Sequence, residues 1–452
     1  MSLREAIESY HELLTDTNEL AAVSQAQLDD QQRRRGLFFG NRPLCTILRP
    51  RFLTPEQYHF LQTRVRILLR AFDKAYHAAL EDASIRAQFG LLDWEEALVR
   101  YDPGFRAPSP TSRVDTFFVT GRGGLRLTEY NAETPASPAY NDVLSDVVYG
   151  LPVMREFLRK FEVRPLLSRH SVMHVLVDAF QQWAGRREAP RIAILDWREV
   201  PSYSEFVLFA EYFQSQGLEC VMADPREVEY RDGRLMAGDF HITLIYKRVL
   251  ISELVERGGL DHPVVKAVLD GAVCMVNPFR CKILHKKASL AVLSDERNAG
   301  LFSEEEREAI EAHIPWTCRV EERVSLFHGQ PIDLLPYVME HREKFVLKPN
   351  DEYGGKGIVL GWEVDAGTWM QALQTGLSEP YVVQERVAIP SEPFPSMVDG
   401  HVELAERMLD TNPFVFYGDY VDGCLSRLSA EALLNVTAGT GSAVATFIVE
   451  KR

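Results

Sequence analysis

The 452 residues include six cysteines, at 45, 220, 274, 281, 318 and 424, and none forms a C-x-x-C pair or joins a Cys/His cluster with zinc spacing. This excludes a dithiol redox motif and a structural zinc site. Apolar flanks, such as Val221 and Met222 after Cys220, mark the cysteines as buried reduced thiols. No apolar run approaches the roughly 18–20 residues of a membrane span. The start, Met1-Ser2-Leu3-Arg4-Glu5, leads into a polar, acidic stretch with no apolar h-region. Basic charge is in short supply, with 50 Lys+Arg against 65 Asp+Glu and a net charge of −15. Covering nucleic-acid phosphates or anionic lipid needs a basic face, so neither nucleic acid nor a membrane is expected as a partner. These absences imply a reduced, cytoplasmic protein. Internal repeats and low-complexity tracts are also missing. With 46% apolar and 25% charged residues the composition is that of an ordinary globular chain, long enough for roughly two to four domains or lobes.

Residues from about 3 to 32 read as helical but poorly patterned, ending in the charge run Arg33-Arg34-Arg35, a solvated feature. A better helix starts at Thr54, which caps, with Pro55 at the first helical position and Gln57 completing a capping box. Leu61, Val65, Leu68, Phe72, Tyr76 and Leu80 then give it a core face. Further on, a strand from Arg191, a helix from Ser204 to Gln216, a strand from Glu219 to Met222, a hairpin turning at Asp232-Gly233 and a strand from Ile242 to Tyr246 predict an open α/β layer. No G-x-G-x-x-G follows its first strand, which leaves a dinucleotide site unsupported. A linker is expected from Asn277-Pro278. Pro390 to Pro395 reads as a loop, Asn435–Gly441 as a Gly/Thr-rich tail, and Ala443 to Val449 as one closing strand.

Four segments carry chemistry. In Phe345-Val346-Leu347-Lys348-Pro349-Asn350-Asp351-Glu352-Tyr353-Gly354-Gly355-Lys356-Gly357-Ile358-Val359-Leu360, two apolar strands flank a glycine-rich loop. Glycines let backbone N–H groups approach a polyphosphate, and Lys348 at the end of its strand can reach phosphate oxygens. The segment is not a P-loop, and a plain hairpin turn is its other reading. Tyr381-Val382-Val383-Gln384-Glu385 is an apolar strand ending in a polar pair, suited to an adenine pocket or simply to a sheet edge. Ser112-Arg113-Val114-Asp115 and Thr128-Glu129-Tyr130-Asn131-Ala132-Glu133 lie on two strands joined through Gly121 to Gly124. Residues two apart share a face, so Arg113 projects with Asp115 and Glu129 with Asn131. Two carboxylates and an amide oxygen suit a hard cation such as Mg²⁺, and a solvated polar face is the alternative. Arg280 to Lys287 gathers four basic residues and a histidine before an apolar stretch. A nucleic-acid patch there lacks interleaved aromatics, leaving a phosphate-contacting lysine or surface solvation.

Together, and in this order, S-R-V-D, L-T-E-Y-N-A-E-T-P, K-K-A-S-L-A-V-L, K-P-N-D-E-Y-G-G-K-G and V-V-Q-E resemble the circularly permuted ATP-grasp superfamily, in its glutathionylspermidine-synthase-like branch. The E-x-N strand lies more than two hundred residues before the glycine-rich lobe, which is the order of the permuted group. The resemblance implies two α+β lobes clasping ATP, an α/β pre-ATP-grasp-like layer and an N-terminal helical region. Its divisions are a helical region (1–100), the metal-bearing part of the large lobe (101–188), the α/β layer (189–275), a linker with the first ATP lysine (276–340), the small lobe (341–392) and a return to the large lobe (393–452). It implies Asp115, Glu129 and Asn131 as ligands of Mg²⁺, two ions in all. Arg113 would face the substrate carboxylate. Lys287 and Lys348 would be the ATP lysines, and Gly354, Gly355, Lys356 and Gly357 the phosphate lid. Gln384 and Glu385 would form the adenine hinge. Asp419-Tyr420 and Leu425–Ser429 resemble the segment that supplies a further arginine, here Arg427. The implied activity is an ATP-dependent ligase joining a small-molecule or peptide carboxylate to an amine through an acyl phosphate. A phosphotransferase and a non-catalytic nucleotide-binding scaffold are the rivals. No cysteine-peptidase domain and no recognisable substrate-recognition insertion accompany the motifs, which puts glutathione and spermidine in doubt as substrates.

Overall fold

The polar N-terminal stretch forms two helices, α1 (Leu3–Thr15) and α2 (Asn18–Arg35), in the computed structural model, which describes residues 3–16, 18–119, 124–352, 354–431 and 441–452. The first two residues, residues 121–123 of the expected link between the two strands, Tyr353 and the 435–440 part of the Gly/Thr-rich tail lie outside the described residues. A short strand, β1 (Arg51–Leu53), leads into α3 (Pro55–Glu81), where the Thr54 hydroxyl accepts from Gln57 N–H and the Gln57 side chain accepts from Thr54 N–H, closing the capping box. Leu61, Val65, Leu68, Phe72 and Tyr76 of α3 are buried as their spacing predicts.

Next come β2 (Thr111–Val119) and β3 (Gly124–Asn131), an antiparallel pair, and β4 (Phe161–Pro165). The α/β layer is built from β5 (Arg191–Leu195), α4 (Tyr203–Ser215), β6 (Glu219–Ala223), β7 (Leu244–Lys247), α5 (Ile251–Gly258) and β8 (Cys274–Val276). Its parallel sheet has the order β8-β7-β5-β6, the predicted hairpin forming a separate small sheet. Parallel strands need crossovers, and this layer buries strands such as Ile192–Leu195 and Leu244–Tyr246 on both faces.

The expected linker is instead part of the core. The Asn277 amide donates to the carbonyls of Thr111, Ala132 and Glu133 at 2.7, 3.0 and 2.9 Å and accepts from Thr111 N–H at 3.1 Å. Beyond it, α6 (Cys281–His285) and α7 (Ala288–Ser294) bury Ile283, Leu284, Leu290, Val292 and Leu293 in the core cluster that also holds the α3 face. That packing draws Lys282, His285, Lys286 and Lys287 inside with the apolar residues, so the solvated reading of this basic run is wrong.

A four-stranded antiparallel sheet combines β9 (Thr317–Arg319), β10 (Phe345–Pro349), β11 (Val359–Leu360) and β12 (Tyr381–Glu385) in the order β9-β12-β10-β11. Helix α8 (Ala366–Ser378) covers one face, with Trp369 and Leu373 packed among Phe345, Leu347 and Val383. By the two-residue period, Val346, Lys348, Val382 and Gln384 project from the opposite face. The chain then returns as β13 (Ser391–Val398), β14 (His401–Leu409), β15 (Asn412–Phe416), β16 (Tyr420–Ser429) and β17 (Ser442–Val444) to complete a seven-stranded sheet with β2 and β3, in the order β13-β14-β16-β15-β2-β3 with β17 beside β16. The Pro390–Pro395 loop reading fails here, because Pro393 and Pro395 sit in β13, an edge strand, where a missing N–H is tolerated. The single closing strand also divides at Ala445. β17 joins the large sheet, and β18 (Thr446–Lys451) pairs with β1 and β4 in a separate three-stranded sheet.

Candidate active site

The β2–β3 register places Arg113 opposite Asn131 and Asp115 opposite Glu129, and a bulge follows between Asp115 and Thr116. Four polar side chains therefore project from one patch of sheet, and bulges of this kind re-aim side chains beside sites. Arg113 grips Asp115 with both arms of its fork, Nε to Oδ1 at 2.7 Å and Nη2 to Oδ2 at 3.1 Å. Arg427, from β16, adds Nη2 to Oδ2 at 2.8 Å and is itself held by Asp410 at 2.6 Å. Burial alone would raise the Asp115 carboxyl, but the guanidiniums of Arg113 and Arg427 outweigh it and hold the group down at about 2. Burial likewise opposes charge on Glu129, and Lys287, 3.2 Å away, outweighs it, lowering that carboxyl from its ordinary value. The Asn131 Nδ2 is buried with no hydrogen-bond partner among the described residues.

The second wall comes from the β9–β12 sheet. Lys348 Nζ donates to Gln384 Oε1 at 2.7 Å and to the Thr128 carbonyl at 3.4 Å, so it already bridges the two sheets. Burial lowers its pKa to about 8, with Glu129 opposing and Lys287 adding to the fall. The Gln384 amide donates to Thr317 Oγ1 at 3.0 Å, so its side chain is committed to fixing Lys348. Glu385 accepts from His328 Nε2 at 2.9 Å. Between the walls lies a cleft of about 470 Å³, lined by Arg113, Asp115, Glu129, Asn131, Lys348, Gly354, Gly355, Gln384, Glu385, Asp410 and Arg427 among others.

Three of the sequence-predicted residues stand apart from this lining. Lys287 reaches the site through Glu129 and through the Glu352 carbonyl, at 2.6 Å. Lys356 has a side chain 77% exposed and lies 3.5 Å from Glu352. Gly357 has φ +72°, and a Cβ there would lie 2.6 Å from Pro349 Cγ, so this turn of the loop requires glycine. Of the loosely matched C-terminal segment, Arg427 is in the cleft, whereas Asp419 and Tyr420 are exposed at the β15–β16 turn.

Beneath the cleft lies a network that the sequence reading missed. Lys282 Nζ contacts Asp351 at 2.7 and 2.6 Å and Glu133 at 3.0 Å. Lys286 bonds Glu95 at 2.7 Å and lies 3.0 Å from Asp351, while Lys247 bonds Glu133 at 3.3 Å. Glu133, His285 and Asp351 offer ligand atoms close enough for a metal ion, yet the Lys282 ammonium already supplies the cation at both carboxylates. Burial pushes His285 down to about 4, and among its neighbours Lys282 lowers it further. Asn350, at the base of the glycine-rich loop, accepts from Lys287 N–H at 2.9 Å through its carbonyl and from Ala288 N–H at 2.8 Å through its side chain. Helices α6 and α7 therefore fix residues 350–352 of the loop.

Cys45, Cys220, Cys274, Cys281, Cys318 and Cys424 are all free and buried, and burial raises each thiol pKa. Among the described residues no helix is long and apolar enough to cross a membrane.

No protein-family profile matches the chain. Two curated relatives do: a putative glutamate–cysteine ligase 2-3 of Frankia alni, 23% identical over 444 residues, and a putative glutamate–cysteine ligase 2-2 of Frankia casuarinae, 22% identical over 440. Each alignment covers 91% of this chain and 48% of the relative, so the chain spans about half the length of the curated relatives it matches. Among solved structures, a glutathione synthetase-like effector from Globodera pallida, in its apo form, matches with a TM-score of 0.61 at 10% identity, covering 96% of this chain and 98% of that one. The mixed α+β fold, with its several sheets, is thus similar to that of a glutathione synthetase-like protein.

Proposed function

We propose that the chain is an ATP-dependent carboxylate–amine ligase of the circularly permuted ATP-grasp type, related to the glutathionylspermidine-synthase-like branch, and that it converts ATP to ADP and phosphate through an acyl-phosphate intermediate. One observation carries the reading. Two stretches more than two hundred residues apart, 113–131 and 348–385, line the same cleft with complementary equipment, oxygen donors on one wall and a buried lysine beside a glycine-rich loop on the other. The names of the relatives point the same way, since glutamate–cysteine ligation and glutathione synthesis both form amide bonds.

In this reading the cleft residues would hold the nucleotide and its metal. Asp115, Glu129 and Asn131 would offer oxygen ligands to Mg²⁺ once Arg113 and Arg427 release Asp115 and Lys287 releases Glu129, the cation taking over the charge those groups now balance. An Asn131 Nδ2 with no partner among the described residues and a buried Lys348 ammonium with a lowered pKa both support an anion as the ligand. Lys287 and Lys348 would bind phosphate oxygens, and Gly354–Gly357 with Lys356 would cover them. Glu385 would lie beside the base, and Gln384 would act by holding Lys348. Arg113 and Arg427, a pair of planar forks side by side at Asp115, would orient the substrate carboxylate for in-line attack on the γ-phosphorus. A closed, dry cleft would then protect the acyl phosphate from water until the amine attacks.

The test is a screen for ADP release with Mg²⁺, pairing amino acids, peptides and other carboxylates with amines, followed by product mass. A ligase gives ADP, phosphate and an amide in equal amounts only when both substrates are present. ADP with a phosphorylated product would assign a phosphotransferase instead, and no turnover despite tight ATP binding would assign a scaffold.

A further inference from the structure

The cleft continues past Arg113 into an arm that the ATP reading leaves without a role. Its floor is the carboxyl edge of the parallel sheet, where Asp196 follows β5 and Arg248 follows β7. The chain runs from β5 to β6 on one side and to β7 on the other, so the crevice between β5 and β7 is a topological switch point, the place where open α/β sheets hold ligands. Phe39, Leu44, Val200 and Leu250 give the arm apolar walls.

Acid exceeds base in the arm without being alone there. The Arg248 guanidinium donates to the Pro135 carbonyl at 3.0 Å, Tyr246 Oη at 3.1 Å and Glu205 at 3.3 Å, while its Nε is buried with no partner among the described residues. Against it stand two carboxylates that Trp197 half satisfies. Its backbone N–H donates to Asp196 Oδ1 at 2.8 Å, and its indole Nε1 donates to Glu253 Oε2 at 2.9 Å. Asp196 is only 9% exposed and lines the arm, yet its Oδ2 has no hydrogen-bond partner among the described residues. That oxygen opens onto the cavity from a side chain that is otherwise buried, and a cationic ligand would complete it. Burial pushes the Asp196 carboxyl up to about 7, with Glu253 adding to the rise and the Trp197 N–H, Arg248 and Lys247 opposing it.

We infer that this arm is a recognition site for an organic ammonium, in which Asp196 and Glu253 receive the protonated amine of a ligand whose apolar body lies against Phe39, Leu44, Val200 and Leu250. Only the identification of that ligand as a substrate rests on the ligase reading. An ammonium bound here would deliver the remainder of its molecule toward Arg113 and Arg427. Two sources share this chemistry, a simple amine and an amino carboxylate spanning the arm and the arginine pair.

Calorimetric titration of the full chain without ATP separates the outcomes. Hexylamine is expected to bind saturably and hexanol at least about tenfold more weakly, in keeping with one charge-assisted hydrogen bond made or lost. The near-isosteric Asp196→Asn retains an acceptor for Trp197 N–H and is expected to weaken hexylamine about tenfold, and Glu253→Gln by a smaller factor. Tighter binding of 6-aminohexanoate than of hexylamine would assign the amino carboxylate, and the reverse order the simple amine. Equal affinity for hexylamine and hexanol, or an unchanged hexylamine affinity in both variants, would overturn the inference. Mg·ATP titrated into the same samples reports on the nucleotide site independently, so loss of one reading is distinguishable from loss of the other.

Discussion

Two clusters of charged residues lie one above the other in this protein and are built on opposite terms. In the lower one, Glu95, Glu133 and Asp351 interlock with Lys247, Lys282 and Lys286, every carboxylate facing at least one ammonium within 3.3 Å. Burial opposes charge on Lys282, but Glu133 and Asp351 outweigh it and raise its pKa, so the cluster is electrically complete. In the upper one, Lys348 has a neutral amide and a carbonyl as hydrogen-bond partners, and Asn131 Nδ2 has none among the described residues. The lower cluster uses its charges to hold α6, β3 and the glycine-rich loop in register. The upper one opens onto the cleft instead. Charge density alone does not identify a site; incomplete compensation next to open volume does.

The contrast is sharpest in paired lysine variants. Lys282→Met takes from Glu133 and Asp351 the ammonium they share, leaving Lys247 and Lys286 as their remaining lysine partners, and is expected to cost about 3 kcal/mol in denaturant unfolding, the low end for a broken buried pair. Lys348→Met removes a desolvated ammonium with a lowered pKa, so stability should stay within about 1 kcal/mol of the parent or rise, while ADP release falls about 10²–10³-fold. Equal losses of stability in the two variants would erase the distinction. Gln384→Leu, which frees Lys348 without removing it, should lower ADP release about tenfold with little effect on unfolding, the weight of one charge-assisted hydrogen bond. Acid unfolding separates the clusters by pH. The folded-state pKa of Asp351 is depressed by Lys282 and Lys286 against the effect of burial, so its stabilisation is fully present above about pH 4 and is lost as pH falls below that value. Asp351→Asn should therefore flatten the acid limb of the stability curve, measured by denaturant midpoints between pH 5 and 2. Lys356→Ala should be the mildest, under about threefold on ADP release, because its exposed side chain has only the weak pairing with Glu352 to lose.

Local pattern made the strands and the site's upper cluster legible. Alternation alone put Arg113 with Asp115 and Glu129 with Asn131, and the register then set the two pairs opposite each other. The capping box at Thr54 and the strand–helix–strand order of the α/β layer were equally local signals. What sequence hid was long-range pairing. Lys282 finds Glu133 across 149 residues and Asp351 across 69, and without those partners a basic run reads as solvated surface. Glu133 is within the quoted T-E-Y-N-A-E segment, but nothing local tells that its carboxylate turns away from the cleft toward Lys282. The strand through Pro393 and Pro395 was hidden for another reason, since proline propensity describes central strands and β13 is an edge.

We propose that the described residues of 113–131 and 348–385 form one nucleotide site. Calorimetric titration of Mg·ATP into the parent chain, Glu129→Ala, Lys348→Ala and the double variant tests it most directly. Each single change should weaken binding at least about tenfold, and the double variant should lose less than the sum of the two, because both residues act on the same phosphates. Affinity unchanged in both single variants would contradict the claim.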